Sequence, residues 1–299
     1  MRRVWRGGIL LALLSCLSSP ALAGALAARL DGVVQAADGR FSGAILIERD
    51  GAIVFDKAYG MANAAAGLAN RSSTSFHIGT LSMQYTAVTI LHLVETRRLA
   101  LDNTADQFVP GAPAVTLQAL LATAPEAPDA VANYELLARI AAAATGKSFA
   151  EVEDAAAFGS VWLTGTGLDD GVPSNESRFA KGYVLADGQL KPVAADWAAL
   201  TGAASAYTTT RDELHWLDRF FGDELVTADT RKAMTPAGHG WHQGGRFGAD
   251  SHWAAGTAPG FSSFVLRRPG LTVIVLENIG AAPAEALAGD LIAALDARE

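Results

Sequence analysis

The sequence predicts a mixed α/β (α+β) protein. An antiparallel sheet is built from both chain ends and flanked by helices, and a mostly helical domain is inserted between them. Three observations carry this expectation. Two β-rich runs flank Asp50-Gly51 near the start. Two more flank Pro269-Gly270 near the end. Between them, apolar residues recur at helical rather than alternating spacing.

Taken in order, the chain of 299 residues opens on a basic cluster, Arg2, Arg3 and Arg6, followed by an apolar run from Ile9 to Leu17. Ala21-Leu22-Ala23 is a small-x-small site, so residues 1–23 read as a secretory signal cleaved after Ala23. The run is too short for a stable membrane span. The protein is expected to be exported, to the periplasm or outside the cell. Cleavage before Cys16 with lipidation there is the lesser alternative. Cys16 is the only cysteine. With the signal removed, disulfides and thiol catalysis are excluded.

Phe41 to Tyr59 reads as a hairpin, because Asp-Gly supplies the two positive φ angles of a type I′ turn. Met83 to Leu99 carries Ile90, Leu91, Leu93 and Val94 at helical spacing. A helix over Tyr134 to Ala144 is closed by Gly146. Ser148-x-x-Glu151 is a capping box. The polar, turn-rich stretch from Gly167 to Leu200 reads as loops. Thr210-x-x-Glu213 reads as a second capping box, opening a helix through Leu217 and Phe220. Leu271 to Leu276 is apolar enough for a central strand. Leu287, Leu291, Ile292 and Leu295 share one face of a last helix. These elements divide the chain into an α/β domain (residues 24–79 and 230–299) and a helical domain (80–229).

The formal net charge is −8, and it becomes more negative once the three arginines of the signal are removed. An acidic chain is a poor partner for nucleic acid or an anionic membrane. Thr145-Gly146-Lys147-Ser148 mimics the end of a phosphate-binding loop. Ala141 stands where that loop needs glycine, and a helix precedes it instead of a strand, so nucleotide binding is rejected. His239, His242 and His252 fit no zinc spacing. No cofactor and no metal are expected.

Several segments together resemble the serine β-lactamase-related, penicillin-recognising hydrolases, which include class C β-lactamases, DD-peptidases and related esterases. SFHIGTLSMQYTA resembles the nucleophile segment of that family. LHLVETRRLALDNTADQFVP is similar to the helix and acidic turn that follow it. ANYELLARIAAAATGKSFAEV is similar to the second helical motif. ASAYTTTRDELHWLDRFF and GTAPGFSSFVLRRPGLTVIVLEN resemble the stretch before the final strands and the last hairpin. The resemblance runs along nearly the whole chain after the signal, and it implies a β-lactamase/transpeptidase-like fold.

The chemistry implied by the resemblance requires a Ser-x-x-Lys pair, in which the lysine lies one turn beyond the nucleophile and on the same face. Here the serine position is Thr80 and the lysine position is Met83, which has neither a basic nitrogen nor a charge. Ser82 cannot substitute, because two helical residues turn a side chain by roughly 200°. The tyrosine position of the second motif falls at Asp129, followed by Ala130 and Val131. The His or Lys position of the third motif falls at Ala254, with Gly256 retained and His252 two residues earlier. Ala122-Thr123-Ala124-Pro125 replaces a further family loop. Thr80 also suits a helix N-cap, and Met83 suits a core. Trp241 and Trp253 suit either a pocket wall or the edge of the domain.

The expected protein is therefore a catalytically impaired or inactive relative. It would retain a cleft for a peptide, a cell-wall fragment or a protein partner. An active esterase or amidase using Thr80, with Asp129 or His252 as base, is the alternative. A third reading is an interaction protein whose cleft is filled by Met83 and alanines.

Overall fold

The structure is a computed structural model. It describes residues 20–37, 41–159, 162–169, 171, 176–234, 239–280 and 284–297. Most of the expected signal, with Cys16, lies outside the described residues. Helix α1 (Pro20–Ala36) runs through the expected cleavage site.

Strands β1 (Gly43–Arg49) and β2 (Ala52–Tyr59) form the first hairpin. Asp50 and Gly51 take φ of 51° and 78°, as a type I′ turn requires. Short strands β3 (Met61–Asn63), β4 (Leu68–Ala69) and β5 (Phe76–His77) follow. A 3₁₀ turn over Gly79–Ser82 leads into α2 (Met83–Glu95). Helices α3 (Leu117–Leu121), α4 (Ala130–Thr145) and α5 (Phe149–Glu153) build the helical middle. Gly146 closes α4 with φ 70°, and Ser148 and Glu151 form the expected capping box.

The stretch read as loops carries more order than that. It contains β6 (Gly167–Leu168) and a hairpin of β7 (Tyr183–Ala186) and β8 (Gln189–Pro192). That hairpin turns on Asp187-Gly188, with φ of 54° and 73°. After β9 (Ala206–Thr208) comes α6 (Thr210–Phe221), capped by Thr209 accepting from Asp212 N–H. The expected box at Thr210 and Glu213 is thus displaced by one residue. Glu213 is fully buried and cannot reach back to a cap. Helix α7 (Ala228–Met234) precedes β10 (His242–Gln243), β11 (His252–Ala258), β12 (Phe261–Arg268) and β13 (Leu271–Glu277), and α8 (Ala284–Asp296) follows.

The main sheet has the order β10-β11-β12-β13-β1-β2. All its pairs are antiparallel, and β1 lies against β13 from Gly43↔Glu277 to Arg49↔Leu271. The two chain ends therefore share one sheet. Side chains alternate across it. Ile45, Ile47, Phe264, Val273 and Val275 pack on one face with Leu30 of α1 and Leu287 and Leu291 of α8. Ala44, Leu46, Val265, Ile274 and Leu276 face the other way, into the core shared with α2, α4 and α6. Coverage of both faces accounts for the unbroken apolar run in β13.

The Gly79–Ser82 turn lies directly on β11. A Cβ on Gly256 would stand 2.1 Å from Ile78 O, and one on Gly79 would stand 2.3 Å from Thr257 O. Both distances are shorter than any real Cβ contact, so only glycine allows the two backbones to meet. Gly256→Ala should lower stability by about 3 kcal/mol, since neither neighbouring backbone can yield. Gly289→Ala, on α8 with nothing within 4 Å of the new methyl, should be neutral or stabilising by about 0.5–1 kcal/mol. Urea denaturation of the two variants side by side checks both outcomes.

Candidate functional site

Thr80 is half-buried in the 3₁₀ turn and caps no helix. The cap position of the turn is Ile78 and that of α2 is Ser82. The Thr80 hydroxyl instead accepts a hydrogen bond from Thr257 N–H at 3.3 Å. Ser82 is committed to structure: its Oγ donates to Gly79 O at 2.7 Å and accepts from Ala206 N–H at 3.2 Å.

Of the three positions read as degraded motifs, Met83 and Ala254 carry no base, and Asp129 is bonded within its own helix start. Met83 is fully buried in the apolar core. Gly240 lies against the backbone of Met83 and Gln84, so the chain before β10 covers the start of α2. Asp129 is exposed at the N-cap of α4, where its Oδ2 accepts from Asn133 Nδ2 at 3.1 Å. The same amide donates to Thr123 at 3.0 Å. Ala254 is 2 % exposed and belongs to the core. His252 packs on Phe221, with ring centroids 5.2 Å apart. It precedes Thr257 by five residues of extended strand, about 17 Å, too far to take the Thr80 proton. Burial first, and then the charge of Arg231, hold His252 below the usual histidine range.

Trp241 and Trp253 are packing residues. Trp241 is buried and stacked on Phe220, and Trp253 stacks on His242. Among the described residues no group of three or more His, Cys, Asp or Glu is placed to hold a metal ion. No described helix is long and apolar enough to cross a membrane.

Behind Thr80, the first turn of α2 carries buried polar groups. Gln84 Nε2 donates to Glu213 Oε1 at 3.1 Å, and the Tyr85 hydroxyl donates to Glu213 Oε2. Burial pushes the Glu213 carboxyl up to about 7, although both hydrogen bonds pull it down. Thr86 donates to Gly202 O at 2.7 Å and reaches Glu153, which is also buried and pushed up by desolvation. These carboxyls are structural, since their partners are α2 side chains.

Two cavities lie away from Thr80. One of about 500 Å³ sits at the hairpin ends, beside His252, Arg267 and Glu48. Another, of about 520 Å³, is lined by His77, Asp169, Phe179, Trp197 and Phe261. Its polar pair was not anticipated from the sequence. His77 lies in the segment SFHIGTLSMQYTA, and Asp169, 92 residues away, lies in no motif. They meet because β5 and β6 both pair with β9.

With this geometry in view, the β-lactamase family model matches residues 28–129. Esterase EstB of Burkholderia gladioli is 35 % identical over 91 residues, which is 29 % of this chain and 23 % of the esterase. The match thus spans about a quarter of that relative. FmtA of Staphylococcus aureus has a similar structure at 17 % identity, with a TM-score of 0.77 over 90 % of this chain and 89 % of FmtA. A penicillin binding protein of Bacillus halodurans superimposes with a TM-score of 0.74 at 21 % identity, over 89 % of this chain and 99 % of that one. The fold is that of the β-lactamases and penicillin-binding proteins. The resemblance read from the sequence therefore holds for the fold and for the family segment over residues 28–129.

Two outcomes follow from the buried groups around α2. Glu213 has a folded-state value above its ordinary 4.5, so its contribution to stability is full below about pH 4.5 and is lost as pH rises to about 7. Glu213→Gln should cost little at pH 5 and raise the Tm relative to wild type at pH 8, as thermal denaturation at the two values would reveal. Met83→Leu should cost less than about 1.5 kcal/mol. Met83→Lys should cost several kcal/mol, because it places an ammonium group in the apolar core that holds Met83, and chemical denaturation separates the two.

Proposed function

We propose that this protein is an exported, non-catalytic relative of the penicillin-recognising hydrolases that acts by binding. The observation that carries this reading is Met83. The side chain one helical turn beyond the nucleophile position is an apolar thioether with no exposed surface, so nothing there can accept the Thr80 proton. The bond of Asp129 to Asn133 and the packing of His252 on Phe221 support the absence of a replacement base. Loss of one member of such a catalytic unit costs several orders of magnitude in rate. Export is supported by the basic start, short apolar run and small-x-small site of residues 1–23.

A hydrolase working through Thr80 is the second reading. One observation favours it: Thr257 N–H points at the Thr80 hydroxyl, as a donor for a developing oxyanion would. A donor without a base does not activate a threonine.

Intact-mass spectrometry decides between them. Wild type and Thr80→Ala are incubated separately with a fluorophosphonate and with a penicillin. The expected result is no covalent adduct on either protein. An adduct on wild type that is absent from Thr80→Ala would establish a working nucleophile and overturn the binding-only reading.

A further inference from the structure

The cavity beside His77 has the size and lining of a small-molecule site. At about 520 Å³ it lies among the three-stranded sheet, the β7–β8 hairpin and the turn at Trp197. Three aromatic side chains, Phe179, Trp197 and Phe261, line it together with Asp169.

This wall is rigidly held. The His77 ring stacks on Trp197 with centroids 3.7 Å apart and planes 6° from parallel. The Phe261 ring meets His77 edge-on at 5.2 Å and Trp197 at 5.9 Å. Phe179 is braced by Tyr207 at 4.7 Å. His77 is 6 % exposed, and its Nδ1 has no hydrogen-bond partner. The imidazole thus commits its one good hydrogen bond, Nε2–H to Asp169 Oδ2 at 3.0 Å, to fixing that carboxylate.

Asp169 is the carboxylate the cavity presents. Its Oδ1 accepts from Gly171 N–H at 2.8 Å. A carboxylate offers about four acceptor positions, and among the described residues these two bonds leave the rest open. Its side chain is 23 % exposed. The bond from His77 holds its carboxyl below the usual range against the opposing effect of burial, so it carries charge at neutral pH. Lys181, also on the lining, has an interaction of its own.

We propose that this cavity binds a small organic cation: an ammonium group on a compact aromatic or apolar body, with Asp169 as counter-ion and Phe179, Trp197 and Phe261 as walls. An anion would meet the ionised carboxylate beside the aromatic walls. A neutral apolar molecule would cover that charge without pairing it, at a cost. A cation gains from both the carboxylate and the aromatic rings. The inference does not depend on whether Thr80 is inert, since no residue of the 3₁₀ turn lines the cavity.

Isothermal titration of the full chain with benzyltrimethylammonium tests it, with benzyl alcohol as the neutral and benzenesulfonate as the anionic comparator. Saturable one-to-one binding of the cation is expected, with both comparators weaker by about tenfold or more. Asp169→Asn and Trp197→Leu should each weaken the cation by about tenfold, while Thr80→Ala should leave it unchanged. Circular dichroism checks that each variant is folded. If Asp169→Asn is not, Trp197→Leu and the charge series on wild type still decide. Absence of saturation up to about 10 mM probe, equal binding of the neutral comparator, or preference for the anion would each overturn the proposal. So would unchanged affinity in folded Asp169→Asn.

Discussion

Gly79 and Gly256 meet across a contact of bare backbone, and the arrangement of the two halves of the molecule depends on it. A methyl group on either would overlap a carbonyl oxygen of the facing segment. Their closeness lets the 3₁₀ turn lie flat on β11, and several neighbours are placed as a result. Leu81 drops into the core, Ser82 bridges Gly79 and Ala206, and Ser263 donates to Ile78 O at 2.7 Å. Thr80 comes to rest beside Thr257 N–H for the same reason. At the positions read as the third motif, alanine stands at 254 where a cation was expected and glycine stands at 256, and this contact explains the glycine. A cation serves chemistry and can be lost without harm to the fold, whereas the glycine is a steric requirement.

The polar groups around α2 divide in a related way. Met83 and Ala254 are apolar and buried. Gln84, Tyr85 and Thr86 instead reach Glu213, Glu153 and Gly202. Buried carboxyls in a protein with this fold would ordinarily suggest chemistry. Here each is tied to a helix side chain, and none reaches Thr80. Perturbed acidity at these positions reflects packing.

The sequence disclosed what local chemistry controls. Asp50-Gly51, Gly146 and the Ser148–Glu151 box each act within a few residues, and each appears where it was read. Asp187-Gly188 carried the same turn signal as Asp50-Gly51. It was overlooked because its flanking strands, YVLA and QLKP, are exposed apart from Tyr183 and Ala186 and lack the apolar content that marked the first hairpin. The one-residue error at Thr209 arose because Glu213 looked like a capping partner, while Tyr85 and Gln84, far away in the sequence, draw it into the core. The fold-level resemblance held because it rests on many such segments. The pairing of His77 with Asp169 had no local signal at all, since β9 brings together two strands that are distant in the chain. Thr80 and Met83 could be located by register alone, but only the structure placed Asp129 on the surface and His252 far along β11.

The pairing of β1 with β13 bears on how such a chain comes to be folded. The partners Gly43 and Glu277 are separated by most of the sequence. Loop closure over that distance precedes any return from the contact, which makes topologies of this kind slow to form. During synthesis the first hairpin emerges early and waits with the β13-facing edge of β1 unpaired. The helical middle can collapse on its own local contacts meanwhile. Only when β13 has left the ribosome does β1 gain its second neighbour and the two sheet faces their full cover. The last strand of the sheet to appear therefore completes it, so the fold closes as a whole only when nearly all of the chain is available.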